Sequence, residues 1–320
     1  GSAKPLPVSY RVNETAKILH PGYQKATLVK VEQNTADTKT YFFESERPFY
    51  FRAGQYLTLG CKVGDSFVSR PYAISSAPKA ALNKQVSVTV KKCGFFSGYL
   101  FDNAKPGDVF TLGDPSGEFC YEPIKDSKQV LALAGGSGIT PFYSMAQSIA
   151  DGTSDFSLTI LYGAKTEKDL IFKPELDAQA SDKIKVVYVL SNEKKEGYEH
   201  GFIGADLIRK YTSGDFTVMM CGPQAMYAFA DKELQAFNLP LRRVKKEANC
   251  VGVRDVKDVK YRLTVHMGFD VYKVPASACE TVLTAMERAG INAPSKCRAG
   301  GCGFCHSRLV SGKFSIAGAD

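Results

Sequence analysis

The sequence predicts a multi-domain protein: an antiparallel β-barrel, then an α/β domain with a parallel sheet, then a small third domain. A chain of 320 residues is too long for one ordinary hydrophobic core. Residues 26–125 contain short runs rich in β-branched and aromatic residues, whereas apolar runs alternate with helical stretches in 126–247. Three cysteines lie close together in 261–320. The remaining segments are an N-terminal arm, 1–25, and a polar linker, 248–260.

Six short strands are expected in the first domain. They are ATLVKVEQ, KTYFFES, QYLTLGC, SFVSRPYAIS, QVSVTVKK and DVFTLG. Their Val, Thr and aromatic residues favour strands, and the Gly and Pro residues between them are typical of turns. Several short strands at this spacing predict a closed antiparallel barrel, over which the N-terminal arm lies.

In the second domain, near-continuous apolar strands alternate with helices. The predicted strands are QVLALAG, FSLTILYG, IKVVYVL and FTVMMCG. The predicted helices are PFYSMAQSIA, KDLIFKPELDAQ, GADLIRKY and PQAMYAFADKELQAF. Strands that are apolar on both faces are typical of a parallel sheet covered by helices on each side.

The third domain begins with a hairpin and a helix. YRLTV and FDVYKV flank HMG, which is a β-hairpin signal. In the stretch SACETVLTAMERAG, Ser277 and Glu280 form a capping box, and Gly290 suits the end of a helix. The apolar face of this helix consists of Val282, Leu283 and Met286.

Composition limits the class of protein. No run of about 18 apolar residues is present, so no membrane span is predicted. The 41 basic and 33 acidic residues give a mild charge of +8 without a dense basic block, which argues against nucleic-acid binding. A basic patch would instead steer an acidic protein partner. Nine cysteines, three of them clustered, favour metal or redox chemistry in a reducing, cytoplasmic compartment over a disulfide framework. We expect a monomer.

The stretch VLALAGGSGITP, residues 130–141, runs from a buried strand through a Gly-rich turn into a helix that starts at Pro141. Gly135, Gly136 and Gly138 let the backbone approach a ligand closely. The exposed amides at the start of the helix favour an anion such as a pyrophosphate. The stretch differs from the G-x-G-x-x-G fingerprint, and a tight turn without a ligand is the alternative.

The stretch MMCGP, residues 219–223, ends the last parallel strand. Open α/β sheets bind their ligands beyond the carboxyl ends of the strands. Cys221 alone is more often a buried structural residue than a functional one. Together with the Gly-rich turn, however, this strand end favours a nucleotide crevice.

The stretch RPYAISSAP, residues 70–78, closes a barrel strand. Alternation along the strand puts Arg70 and Tyr72 on one face, where a cation and a ring suit a phosphorylated planar cofactor. A surface arginine beside a core tyrosine is the alternative. The stretch CGFFSGYL, residues 93–100, adds a Gly turn and Ser97 before a short helix, which is a second candidate phosphate site.

The stretch SKCRAGGCGFCHSRL places Cys297, Cys302 and Cys305 in a C-x4-C-x2-C pattern. This is the plant-type 2Fe–2S spacing, whereas structural zinc usually takes C-x2–4-C pairs. The loop glycines, from Gly300 to Gly303, are expected to donate backbone hydrogen bonds to the sulfurs.

The fourth cluster ligand is missing from this pattern. Plant-type clusters take another cysteine further along the chain, but no cysteine follows Cys305. We therefore expect further residues after Asp320, so that the third domain is incomplete at its C-terminus. Cys279 is an alternative ligand, although its helix position suits packing better. Without a fourth ligand, the three cysteines would be free thiols.

The motifs RPYAISS, GGSGITP and CGP, in this order, resemble the ferredoxin–NADP reductase superfamily. With the cysteine loop, residues 20–320 resemble its flavin–nicotinamide–ferredoxin fusions, of the phthalate dioxygenase reductase type. The resemblance implies a flavin-binding barrel, an NAD(P)-binding domain and a β-grasp ferredoxin-like domain. It also implies a reductase that passes electrons from NADH through flavin to a 2Fe–2S cluster and then to an acceptor protein.

The resemblance implies roles for individual residues. Arg70 would pair with the flavin phosphate, Tyr72 would stack on the isoalloxazine, and Cys221 and Glu247 would serve catalysis near the nicotinamide. The cluster ligands would be the three loop cysteines. The implied flavin-site residues are Arg70, Pro71, Tyr72, Ala73, Ser76, Gly94, Phe95, Phe96 and Ser97, and the implied nucleotide-site residues are Gly135, Gly136, Gly138, Thr140, Gly222 and Pro223.

Two departures from the family pattern concern the flavin. Ala73 stands where a Ser or Thr usually follows the flavin tyrosine, which removes one hydrogen bond toward the flavin edge. After Glu247, Asn249 stands where the family often has an aromatic residue that covers the ring.

The identities of both soluble cofactors are left with alternatives. In SNEKKE, Asn192 and Glu193 favour NADH, whereas Lys194 and Lys195 leave NADPH open. The GFFS loop resembles FAD-binding relatives more than FMN-binding ones. Two other functions compete: a non-autonomous electron-transfer subunit of a larger complex, and a plain flavin or ferric reductase with a vestigial cluster domain.

Overall fold

The computed structural model describes residues 10–247, 257–300 and 302–313. These residues form two compact units. The first holds the described residues up to Thr58 together with Tyr72–Glu247, and the second holds Leu59–Pro71 together with the described residues after Glu247. Among the described residues, no helix combines the length and the hydropathy needed to cross a bilayer.

The first sheet has six strands, which are β1 (Gln24–Thr35), β2 (Thr38–Ser45), β3 (Tyr56–Val63), β4 (Ser66–Ala73), β5 (Gln85–Lys91) and β6 (Val109–Leu112). Their order in the sheet is β4-β3-β6-β1-β2-β5. β1 pairs antiparallel with β2 and β6, and β2 pairs antiparallel with β5. A further antiparallel bridge joins Ile74, just after β4, to Val88 in β5, so the two outer strands meet. The predicted closed antiparallel barrel is thereby confirmed.

Helices accompany the barrel strands. The N-terminal arm contains the helix α1 (Arg11–Leu19), which the sequence analysis did not predict and which is exposed along almost its whole length. The carbonyl of Leu19 accepts the Tyr50 amide at 2.9 Å, which ties the end of this helix to the first unit. The other two helices are α2 (Pro78–Leu82) and α3 (Phe95–Asn103).

The strands of the second sheet are β7 (Gln129–Gly135), β8 (Ser157–Ala164), β9 (Ile184–Leu190), β10 (Glu199–His200), β11 (Thr217–Cys221) and β12 (Val244–Lys246). They are parallel, and their order is β10-β9-β8-β7-β11-β12. Alternate residues of the strands enter two separate apolar clusters: Ala132 packs with Phe142, and Leu131 packs with Ile208. The prediction that both faces are covered is thereby confirmed. The helices are α4 (Thr140–Ala150), α5 (Lys173–Ala178), α6 (Ala205–Tyr211) and α7 (Gln224–Leu234).

The helix predicted over KDLIFKPELDAQ is shorter than expected. Phe172 has φ 61°, a left-handed conformation that no α-helix contains, and it directly precedes α5. Pro174 also restricts Lys173 before it. The helix is therefore limited to six residues.

The described C-terminal residues form the predicted hairpin and helix. β13 (Lys260–Met267) pairs antiparallel with β14 (Asp270–Ser277), and α8 spans Val282–Arg288. Gly268, with φ 62°, lies in the hairpin turn. Residues 248–256 of the predicted linker, and Asn249 among them, lie outside the described residues.

The predicted start of α8 was wrong by one turn. Thr281 is the N-cap, and its hydroxyl accepts the Thr284 amide at 3.2 Å. Glu280 instead accepts the Ser277 amide at 2.9 Å in the turn before the helix. Val282 is exposed, and the buried face of the helix is formed by Ala285 and Met286.

Candidate functional site

The Gly-rich turn lies directly against the end of β11. Gly136 has φ 53°, and a 3-10 turn, Gly136–Ile139, leads into α4. A Cβ on Gly138 would lie 2.0 Å from the carbonyl oxygen of Cys221. Only glycine therefore allows this approach of backbone to backbone.

The CGP motif closes the same corner of the sheet. Cys221 pairs in register with Ala134, one residue before Gly135. A Cβ on Gly222 would lie 3.2 Å from the Cα of Gly135, and a Cβ on Gly135 would lie 2.9 Å from the Cδ of Pro223. The structure thus brings the two predicted nucleotide motifs together at the carboxyl ends of neighbouring strands, which is where such sheets bind ligands.

Thr140 supports the turn from inside. It is buried, and its hydroxyl donates to the carbonyl of Ser137 at 2.9 Å. This side chain therefore holds the shape of the Gly-rich turn, while the backbone amides at the start of α4 remain the groups suited to an anion.

Cys221 and Glu247, the two predicted catalytic residues, lie close enough to interact. Burial raises the pKa of the Cys221 thiol well above its ordinary value, and the Glu247 carboxylate adds to this rise. The thiol is therefore neutral near pH 7, and the predicted role of Cys221 near the nicotinamide stays a prediction.

Tyr227 connects these residues and was missed by sequence reasoning. Its buried hydroxyl accepts the Gly222 amide at 3.2 Å and donates to the carbonyl of Glu247 at 3.1 Å. Burial also raises the pKa of Tyr227. In the sequence it is an aromatic residue on a helix, which is indistinguishable from a core residue.

The strand end of the RPYAISS motif is held by α4. Ser144 donates to the Ser76 carbonyl at 2.7 Å, and Gln147 donates to the Ser75 carbonyl at 2.6 Å. The Ser76 hydroxyl accepts the Ser87 amide at 3.1 Å. Neither Ser144 nor Gln147 was predicted, because their partners lie about 70 residues away in the chain.

Tyr72 presents a half-buried ring at the candidate flavin site. It stacks on the buried Phe96, with ring centroids 6.4 Å apart and planes at 24°. Pro71 and Ala73, its neighbours on β4, are also half-buried, and Phe95 is largely exposed. A supported but accessible ring fits the stacking role that the resemblance implies for Tyr72.

In the loop before α3, the Ser97 side chain bonds to the backbone of the same loop. The buried Ser97 hydroxyl accepts the amides of Cys93 at 3.0 Å and Gly94 at 2.9 Å. This differs from the expectation that Ser97 and Gly94 offer these groups to a phosphate. Ser97 instead fixes the conformation of the loop in which the phosphate was expected to bind.

Arg70 is already engaged in an ion pair. Its Nη1 donates to the Ser69 carbonyl at 2.7 Å and lies 2.9 Å from the carboxylate of Glu287. Arg70 therefore lies where the RPYAISS motif predicts, but with a carboxylate rather than a phosphate as its partner.

The cysteine loop has the backbone of a thiolate site. Cys297 is buried, and its sulfur accepts the amides of Ala299 and Cys302, both at 3.4 Å. Such N–H···S bonds stabilise a cluster-bound thiolate, so the loop fits a 2Fe–2S centre. Gly300 and Gly303 have φ 75° and 67°, the left-handed conformation that shapes the loop. The hydrogen bonds from the loop glycines to the sulfurs stay a prediction. Gly301 lies outside the described residues.

The structure does not bring Cys297, Cys302 and Cys305 together into one metal-binding group. Cys302 and Cys305 are exposed, and the described residues contain no group of three or more His, Cys, Asp or Glu that could hold a metal ion. Their assignment as ligands therefore stays a prediction, as does the rejection of Cys279, which is half-buried just before α8.

Comparison with known proteins identifies three domains in chain order. An oxidoreductase FAD-binding domain matches residues 25–121, an oxidoreductase NAD-binding domain matches 132–232, and a 2Fe-2S iron-sulfur cluster binding domain matches 270–319.

The chain is similar to curated proteins and to a solved structure over most of its length. The ferredoxin reductase component of 3-ketosteroid-9-alpha-monooxygenase from Mycobacterium tuberculosis is 30% identical over 84% of this chain and 77% of its own length. The NADH oxidoreductase HCR of Escherichia coli is 29% identical over 90% of this chain and 86% of its own length. The structure of phthalate dioxygenase reductase is similar in fold, with a TM-score of 0.70, 22% identity, and coverage of 89% of this chain and 86% of that one.

Proposed function

Since the chain belongs to the ferredoxin reductases that combine an FAD-binding, an NAD-binding and a 2Fe–2S domain, we propose that its electron donor is NADH and its acceptor an oxygenase component. It is an oxidoreductase that passes electrons from a nicotinamide nucleotide through FAD to a 2Fe–2S cluster. When bound, the flavin supplies the conversion between a two-electron hydride and single electrons. The residues of this chain supply binding and orientation.

One observation carries the proposal: α4 connects the two cofactor motifs. The helix starts at the Gly-rich nucleotide turn, and Ser144 and Gln147 hold the carbonyls at the end of the RPYAISS strand. The nucleotide turn and the flavin strand are therefore tied to one rigid helix. Such alignment is what hydride transfer between two bound cofactors requires.

The proposed residue roles follow from this arrangement. The Gly-rich turn and the amides of α4 bind the pyrophosphate, and Cys221 and Gly222 face the nicotinamide. Tyr72 orients the flavin ring, and Arg70 holds a flavin phosphate. Pro71, Ala73, Ser76, Gly94, Phe95, Phe96 and Ser97 complete the flavin site, and Cys297, Cys302 and Cys305 ligate the cluster.

Charges after β9 support NADH as the donor. Lys195 pairs with Glu167, whose carboxylate also accepts the Tyr198 hydroxyl. The hydrogen bond from Lys195 lowers the pKa of Glu167, which is therefore ionised near pH 7 and offsets the lysine charge. Glu193 adds a second carboxylate, which accepts the Glu167 amide at 3.0 Å. Because NADPH carries an additional phosphate, these carboxylates disfavour it.

The acceptor is proposed from the relatives. The Mycobacterium tuberculosis relative is the reductase component of a monooxygenase, which supports an oxygenase acceptor for this chain. We propose a reducing compartment such as the cytoplasm, because three of the nine cysteines cluster in a C-x4-C-x2-C pattern that is typical of metal or redox chemistry. We also propose a monomer with the domain boundaries 26–125, 126–247 and 261–320, preceded by the arm 1–25 and joined by the linker 248–260.

Substitution of one cluster ligand tests the division of labour. We expect Cys302→Ser in the full-length protein to abolish reduction of a one-electron protein acceptor such as cytochrome c. NADH-dependent reduction of the flavin, followed by its absorbance, should stay within about twofold of wild type, because hydride transfer precedes the cluster. The matched control is Cys61→Ser, which changes a half-buried cysteine of β3 outside both the cysteine loop and the proposed cofactor sites and should preserve both activities. Equal loss of both activities in Cys302→Ser would contradict the proposed relay.

A further inference from the structure

Glu287, on α8, binds two arginines within the second unit. Its carboxylate lies 2.9 Å from the Nη1 of Arg70 and 2.8 Å from the Nη2 of Arg298. The Ser69 amide approaches the same carboxylate at 3.4 Å. One acidic side chain is therefore shared by the arginine of the RPYAISS motif and an arginine of the cysteine loop.

The three side chains are largely removed from solvent. The exposed fractions are 20% for Arg70, 11% for Glu287 and 10% for Arg298. Charges in such an environment are screened weakly, so the ion pairs are stronger than surface pairs. A buried carboxylate that loses its only partner is costly, because its hydration is not restored.

The second arginine changes this cost. If Arg70 turns away from Glu287, Arg298 still compensates the carboxylate. With Arg298 present, Arg70 can therefore leave Glu287 and bind another anion at a modest cost in free energy. Without it, the ion pair with Arg70 would have to compensate more of the Glu287 charge, and Glu287 would hold Arg70 more tightly.

We propose that Glu287 competes with the flavin phosphate for Arg70, and that Arg298 sets the strength of this competition. The inference rests on the proposed role of Arg70 as a phosphate ligand. Glu287 is then a positioning residue that tunes the affinity for FAD without touching it.

The competition links flavin affinity to the cysteine loop. Arg298 directly follows Cys297 and has φ 54°, so its reach toward Glu287 depends on the conformation of the loop. A change in this loop, such as cluster loading, would change the hold of Glu287 on Arg70. By thermodynamic linkage, flavin binding would act on the loop to the same extent.

Three variants of the full-length apoprotein test the proposal by titration with FAD, followed by flavin fluorescence. Glu287→Gln removes the competing charge and should bind FAD about fivefold more tightly than wild type. Arg298→Gln should bind FAD about fivefold more weakly. The double variant should behave like Glu287→Gln, because the proposed effect of Arg298 on Arg70 is exerted through the Glu287 carboxylate.

Riboflavin, which has no phosphate, is the matched control ligand. Its affinity should be the same in all three variants and in wild type. Opposite shifts for FAD in Glu287→Gln and Arg298→Gln cannot come from loss of folding, which would weaken both ligands in both variants. Unchanged or weakened FAD binding in Glu287→Gln, or parallel shifts for riboflavin, would overturn the proposal.

A further variant separates this inference from the proposed function. Arg70→Gln should weaken FAD binding and leave riboflavin binding unchanged. If Arg70→Gln leaves FAD binding unchanged, the phosphate role of Arg70 fails, and the competition fails with it. If wild type itself binds no FAD, the proposed function fails.

Discussion

Gly138 shows how the lack of one side chain shapes the nucleotide turn. A Cβ at this position would lie 2.0 Å from the carbonyl oxygen of Cys221 and 2.8 Å from the amide nitrogen of Gly222. Both are backbone atoms, so no side chain can rotate to make room for a Cβ. The turn can therefore lie against the end of β11 only while this residue is glycine.

We expect Gly138→Ala to push the turn away from β11. Overpacking of this kind lowers the free energy of unfolding by about 1–3 kcal/mol, and displacement of the turn should weaken NAD⁺ binding at least about tenfold. Urea unfolding and NAD⁺ titration of the oxidised protein measure the two effects. The matched control is Gly98→Ala in α3, where the nearest atom to a Cβ is 4.0 Å away. Wild-type NAD⁺ affinity in Gly138→Ala would show that the turn does not hold the nucleotide.

Single residues of the candidate site could be predicted only where their type is informative by itself. Gly138 and Cys297 belong to short motifs whose spacing indicates a turn or a cluster loop. Tyr227, Gln147 and Glu287 occupy ordinary helix positions. The contacts of Gln147 with Ser75 and of Glu287 with Arg70 join residues far apart in the chain, which no local pattern encodes.

At the scale of elements, α4 positions both cofactor motifs. Its first turn carries the amides proposed to bind the pyrophosphate, and its middle carries Ser144 and Gln147. These two side chains bond to the carbonyls of Ser76 and Ser75. In the proposed arrangement, the distance between the nucleotide and the flavin ring would therefore depend on side chains that touch neither cofactor.

The double variant Ser144→Ala/Gln147→Ala removes this attachment. We expect the rate of flavin reduction by NADH, measured by stopped-flow absorbance, to fall about tenfold because the two cofactors are less well aligned. The free energy of unfolding should fall by about 1–3 kcal/mol, since two hydrogen bonds are lost. Ser148→Ala is the control, because the Ser148 hydroxyl donates to Met145 within the same helix. An unchanged rate in the double variant would refute the positioning role of α4.

Elements were predictable where a period extends over many residues. The barrel strands and the four apolar strands of the parallel sheet show such periods. β10 and β12 have two and three residues, which is too short for any period. The helix α1 was missed although Val12, Ala16 and Leu19 have a helical spacing, because its nine residues give little more than two turns of that period. The length of α5 depends on the left-handed Phe172, a conformation that the sequence does not indicate.

At the scale of the whole molecule, several ionisable side chains of the first unit are buried as neutral acids. Burial raises the pKa of Cys221, Tyr41, Tyr162 and Tyr227 above their ordinary values, and that of Tyr143 to about 12. In the folded protein each group keeps its proton at moderately alkaline pH. The unfolded chain loses these protons near the ordinary values, 9.0 for cysteine and 10.0 for tyrosine.

We therefore expect the protein to lose stability as the pH rises above about 9. In that range the unfolded state binds fewer protons than the folded state, so the free energy of unfolding falls with increasing pH. Between about pH 8.5 and 10.5 the fall should reach about 5 kcal/mol, measured by urea unfolding at a series of pH values. Tyr41→Phe removes one of the groups and should make the slope shallower, whereas Tyr10→Phe, at an exposed position, should not. A free energy of unfolding that stays constant over this range would mean that these acids ionise in the folded protein, and burial would then not control their protonation.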